Sequence, residues 1–80
     1  MTEPEIMAGV AQIVHDVLGN ATPTITQATA ATDVPGWDSV RMVEIILRVE
    51  EHFAVRLPSR EVDRLRNVGD LVSAVRDRLA

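Results

Sequence analysis

The 80-residue chain contains no cysteine and no lysine. Without cysteine there is no disulfide framework, no thiolate nucleophile and no sulfur-rich zinc site, and two histidines alone make a poor metal set. Basic charge is scarce as well. Eight arginines against twelve acids leave a net charge of −4, which repels phosphate backbones and argues against DNA or RNA as a partner. No apolar run approaches the length of a bilayer span, so no stable membrane insertion is expected. The acidic start Met1-Thr2-Glu3-Pro4-Glu5 lacks the basic region and apolar block of an export signal, and a cytoplasmic protein is expected. Length sets a further limit. Eighty residues support one small core, so a single domain over residues 1–80 is expected, burying roughly 60% of the surface its unfolded chain exposes and leaving little room for a deep catalytic cleft.

What the chain does have is helical periodicity. From Pro4 to Leu18 the residues Ile6, Val10, Ile13, Val14, Val17 and Leu18 recur at steps of three and four. Thr2 and Glu5 stand in capping-box spacing, Pro4 fits a first turn where its missing N–H is no loss, and Gly19 suits a left-handed stop. Gly19 to Trp37 then runs through five threonines and two prolines without a sustained period, a long connection expected to be pinned by a few buried residues such as Ile25 and Val34, with a direct functional role as the alternative. A second helix is expected to start at Asp38 and reach Ala54 or Val55, followed by a short helical turn over Ser59 to Leu65 with Val62 and Leu65 facing inward. A last helix opens at Asn67, with Asp70 three residues on, and carries Val68, Leu71, Val72, Val75 and Leu79. Three long helices, one short helix and a long first loop describe an all-α, four-helix bundle.

The second helix holds more apolar surface than a core requires. At about 100° per residue, Met42, Ile45, Ile46, Val49 and Phe53 share one arc, while Val40, Val43 and Leu47 fall on the other side of Ser39, an apolar sector of roughly 220°. Arg41, Glu44, Arg48, Glu51 and His52 occupy the rest, with Glu44 and Arg48 at a favourable four-residue spacing. Ser39 itself lies in the first turn, where a helix offers unpaired N–H groups and the positive end of its dipole, a setting that favours a covalently attached phosphate.

Trp37-Asp38-Ser39-Val40, then Val43-Glu44-Ile45-Ile46 and Glu50-Glu51-His52-Phe53, resemble the prosthetic-group motif and second helix of the acyl carrier proteins. The resemblance extends over the helix plan from Glu3 to Leu79. It implies that Ser39 receives a 4′-phosphopantetheine arm from coenzyme A, with Asp38 as the adjacent motif acid, and that acyl groups travel on the arm's thiol as thioesters. In a chain without cysteine, that thiol has to be imported. Partners implied by the resemblance are a phosphopantetheinyl transferase, acyl-loading enzymes, and synthases or transferases; the chain itself is expected to be a monomer and no enzyme. Neither His15, on the polar side of the first helix, nor His52, beside Arg41 and Arg48, stands out as catalytic, and no serine or threonine has a base within readable spacing.

The sequence departs from the family's pattern mildly at Val40, where the family has Leu, and more consequentially in the charge of the outward face. Where the family usually places an acid two residues after the serine, this chain has Arg41, and Arg48 adds a second positive charge on the same outward face. Val43 and Leu47 are expected to form an apolar contact for partners beside Ser39, with Glu44, Glu50 and Glu51 steering them and Arg41 altering their choice. Packing on the short third segment, or closing a groove for the cargo, is the competing use of the two apolar residues. The cargo class stays open between polyketide, specialised-lipid or fatty-acid intermediates and the aminoacyl or peptidyl groups of a nonribosomal-peptide-type pathway. A helical module that only mediates protein contacts is the remaining alternative.

Overall fold

Helix α1 (Glu3–Leu18) begins where the sequence signals place it. In the computed structural model of the chain, which describes residues 1–19 and 22–79, Thr2 and Glu5 form a reciprocal capping box: the Glu5 N–H donates to Thr2 Oγ1 at 3.4 Å and the Thr2 N–H to Glu5 Oε1 at 2.9 Å. The helix ends at Gly19, whose N–H donates to the His15 carbonyl at 2.8 Å. Its φ of 94° is positive, but with ψ at −178° the backbone leaves in an extended direction instead of the expected left-handed turn. Asn20 and Ala21 in the connection, and Ala80 at the end of the expected domain, lie outside the described residues.

The other helices are α2 (Ser39–Phe53), α3 (Ser59–Val62) and α4 (Val68–Leu79), and no strand occurs among the described residues. Helix α1 packs on both α2 and α4. The core between them is aliphatic: Ile6, Val10 and Val14 from α1, Ile45 and Val49 from α2, and Val68, Leu71, Val72 and Val75 from α4 are all but sealed from solvent. Each such side chain contributes about 1.5–3 kcal/mol by leaving water. Leu79, expected on the buried face, is 39% exposed at the last helical position. Helix α2 stops at Phe53, one or two residues short of the expected end, because Ala54 turns into the left-handed region at φ 55°, ψ 46°. Helix α3 stops at Val62, so Leu65 reaches the core from the loop that follows.

The long connection is held at several points. Val34 is buried, and Ile25 and Trp37 pack against the core. A 3₁₀ turn over Ala31–Asp33, which the sequence pattern did not signal, tightens the chain ahead of α2. The loop also caps α4. The Val68 N–H donates to the Thr29 carbonyl and the Gly69 N–H to the Gln27 carbonyl, both at 2.8 Å, satisfying amide groups a helix start leaves unpaired. A Cβ on Gly69 would stand 3.0 Å from that Gln27 oxygen, which accounts for the glycine. Asn67 Oδ1 accepts from the Asp70 N–H at 2.9 Å as expected, but Asp70 turns to the Arg66 N–H at 2.9 Å and does not close a capping box.

Candidate functional site

Ser39 is the first residue of α2 and is exposed. Asp38 precedes it as the N-cap in extended conformation, and its Oδ1 accepts from the Arg41 N–H at 2.8 Å. The cap fixes where the helix begins and therefore which hydroxyl stands at its positive end. Trp37, one residue earlier, donates from Nε1 to Met42 Sδ at 3.3 Å while its ring packs against the core, fastening the loop to the first turn of α2. Local sequence thus sets the helix start, and a tertiary contact holds the approach to it.

Beyond Ser39 the helix presents an open apolar strip. Val40, Val43 and Leu47 are 69%, 60% and 59% exposed, while Ile45, Ile46, Val49 and Phe53 on the opposite arc are buried. Ser39, Val43 and Leu47 follow one another at four-residue steps along one ridge. Val43 and Leu47 also form the rim of a groove of about 270 Å³ between α2 and α3, whose floor and far wall include Met42, Ile46, Leu57 and Val62. Both expected uses of these two residues, a strip open to a partner and the edge of a cavity, are therefore geometrically available at once.

The charged face is less acidic in effect than its sequence suggests. Glu44 is bracketed by two guanidinium groups, Arg48 at 3.1 Å and Arg41 at 3.9 Å. Glu50, expected to steer partners, is half-buried beside the groove and accepts the Leu57 N–H at 2.7 Å through one carboxylate oxygen. Glu51 is exposed. His52 lies edge-on to Phe53 with ring centroids 4.7 Å apart, a packing contact that no periodicity announces. Among the described residues, no group of three His, Asp or Glu side chains could hold a metal ion, and no helix is long and apolar enough to cross a membrane.

The family described as "Phosphopantetheine attachment site" matches residues 8–75, most of the chain and all of α2. The acyl carrier protein of Acidothermus cellulolyticus is 37% identical over 75 residues, covering 94% of this chain and 89% of that protein. The acyl carrier protein of Arthrobacter sp. strain FB24 is 41% identical over 71 residues, covering 89% of this chain and 88% of that protein. Among solved structures, the holo acyl carrier protein of Geobacter metallireducens superposes with a TM-score of 0.82 at 28% identity, covering 91% of this chain and 84% of that one.

Proposed function

The chain belongs to the acyl carrier proteins, whose defining feature is a phosphopantetheine attachment site, and from that premise we propose that Ser39 is the attachment point and that the groove beside it receives the acyl chain. The protein is a carrier acted on by other enzymes, with covalent 4′-phosphopantetheine as its prosthetic group. The observation that carries the assignment to Ser39 is its placement: an exposed hydroxyl at the N-terminus of a 15-residue helix, behind the Asp38 cap and at the head of an exposed apolar ridge.

The residues present fit the group. The helix start favours the phosphate of the arm, and no cysteine competes with the thiol it supplies for carrying acyl groups. In loading, Ser39 Oγ forms the new phosphoester bond. Its hydroxyl proton passes to a base of the transferase, and the pyrophosphate linkage of coenzyme A breaks, releasing the adenine nucleotide. Asp38 keeps the helix start in register during this step, while Val43 and Leu47 offer the transferase an apolar contact.

The groove supports acyl cargo over aminoacyl cargo, because Met42, Val43, Ile46, Leu47, Leu57 and Val62 make most of its lining aliphatic, beside Glu50, Ser59 and Asp63. Arg41 and Arg48 around Glu44 support partners whose docking patch is mixed or partly acidic, and so a polyketide or specialised-lipid pathway ahead of general fatty-acid synthesis. Incubation with a phosphopantetheinyl transferase, coenzyme A and magnesium, read by intact mass, tests the site. One arm is expected on the wild type and none on Ser39→Ala, whose stability should change by less than about 0.5 kcal/mol. Modification of the alanine variant, or none of the wild type, removes the assignment.

A further inference from the structure

The groove has one wall formed by a long helix and one in which a few apolar side chains, Val55 and Leu57 in the core and Val62 packed against it, are joined by polar ties. Helix α2 is anchored through Ile45 and Val49, both sealed in the core. Helix α3 is a single turn of four residues, too short to persist on its own propensity, and its N-cap Pro58 supplies no side-chain hydrogen bond. Beside that apolar packing, two sets of hydrogen bonds from other elements hold α3 and the segment leading into it. Glu50 in α2 accepts the Leu57 N–H at 2.7 Å. Arg78, in the last turn of α4, donates to the Arg56 carbonyl through Nε, to Glu61 of α3 through Nη1 at 2.9 Å and through Nη2, and to its own Ala74 carbonyl at 3.2 Å. One guanidinium thus ties the α2–α3 loop, α3 and the end of α4 together. Its planar fork can meet these acceptors simultaneously, which an ammonium cannot.

We propose that Arg78 and Glu50 are positioning residues that fix the α3 wall of the groove and thereby set which acyl chain lengths the protein shields. The inference deepens the carrier reading and rests on it for the cargo, whereas the clamp itself is a property of the unloaded chain. Neither wall of the groove contains Arg78. It acts at a distance, through Glu61 and the Arg56 carbonyl, on where Val62 and Leu57 stand. With the clamp released, α3 moves away from α2. Short chains lose the surface that covers them, and longer ones gain room.

Hydrogen exchange on the unmodified protein tests the clamp independently of any loading. In Arg78→Gln the amides of residues 55–63 should exchange about tenfold faster, the loss expected for a charge-assisted tie to a local opening, while amides in the centres of α1 and α2 stay as in wild type. Arg78→Lys, which keeps the charge but not the fork, should restore only part of the protection. Unchanged exchange in residues 55–63, or an equal increase throughout the chain, overturns the clamp. On the loaded protein, thioester resistance to hydroxylamine should be followed from butyryl to dodecanoyl. In Arg78→Gln protection of the short chains should fall by about fourfold for each methylene left uncovered, and the best-protected length should shift upward. Profiles that superimpose overturn the chain-length consequence. A wild-type profile that is flat across the series overturns the groove as the cargo site, a different failure from that of the clamp and visible as such because the exchange result stands apart.

Discussion

A Cβ placed on Gly9 would stand 2.8 Å from Cζ of Phe53, so α1 and α2 approach one another through a backbone-against-ring contact. Phe53 is the only phenylalanine in the chain and is 5% exposed. Helix propensity alone favours alanine over glycine in α1 by about 1 kcal/mol. The contact reverses that sign. Gly9→Ala should destabilise the protein by about 1–3 kcal/mol as the ring or the helix is displaced, and Phe53→Ala by about 3 kcal/mol through the cavity it leaves. Urea midpoints measure both. A Gly9→Ala variant more stable than wild type would show that the two helices part at little cost.

At the end of α2, Ala54 occupies left-handed backbone, which an L side chain adopts at a penalty of about 1–2 kcal/mol. Ala54→Gly should recover part of it, for a net gain of about 0.5–1 kcal/mol after the added flexibility of the unfolded chain is counted. A higher denaturation midpoint at unchanged m value is the expected result.

Acid should weaken the fold through its helix starts. The Thr2 backbone and hydroxyl hydrogen bonds hold the Glu5 carboxyl below its ordinary 4.5, and the Arg66 N–H and guanidinium hold Asp70 below its ordinary 3.8. Both groups bind protons more weakly folded than unfolded. Their contribution is therefore complete above those ordinary values and is lost as pH falls through the lowered folded ones. Denaturation midpoints taken from pH 7 down to pH 2 should decline less steeply in Asp70→Asn than in wild type, with the difference confined to the acidic end.

Docking should divide between apolar and charged residues. Leu47→Ala removes an exposed anchor on the Ser39 ridge and should speed release from the transferase by about tenfold with little change in association. Glu44→Gln frees Arg41 and Arg48 from their shared carboxylate, so it should alter the association rate, and that effect should fade with added salt. Arg41→Glu should increase loading by a partner with a basic docking patch several-fold. Stopped-flow measurements at low and high salt separate the three. An Arg41→Glu variant indistinguishable from wild type with every partner would leave Arg41 as an ordinary solvated residue.

The sequence by itself determined the helices and the head of α2. Those are local properties: aliphatic residues at steps of three and four, a capping box at Thr2 and Glu5, and an aspartate cap before Ser39 each act within a few residues of one another. The two faces of α2 were legible for the same reason, and Val40, Val43 and Leu47 are exposed where Ile45, Val49 and Phe53 are not. The groove and its ties were decided only by the tertiary structure. Nothing near Glu50 in sequence shows that the Leu57 amide folds back onto its carboxylate. Arg78 meets Glu61 across 17 residues and the Arg56 carbonyl across 22, and the carbonyls of Gln27 and Thr29 that cap α4 belong to a loop some 40 residues away. A backbone carbonyl has no side-chain signature, and a charge announces its sign but not its partner. Such contacts come into being when the apolar faces of α1, α2 and α4 close on one another and bring distant polar groups within hydrogen-bonding distance.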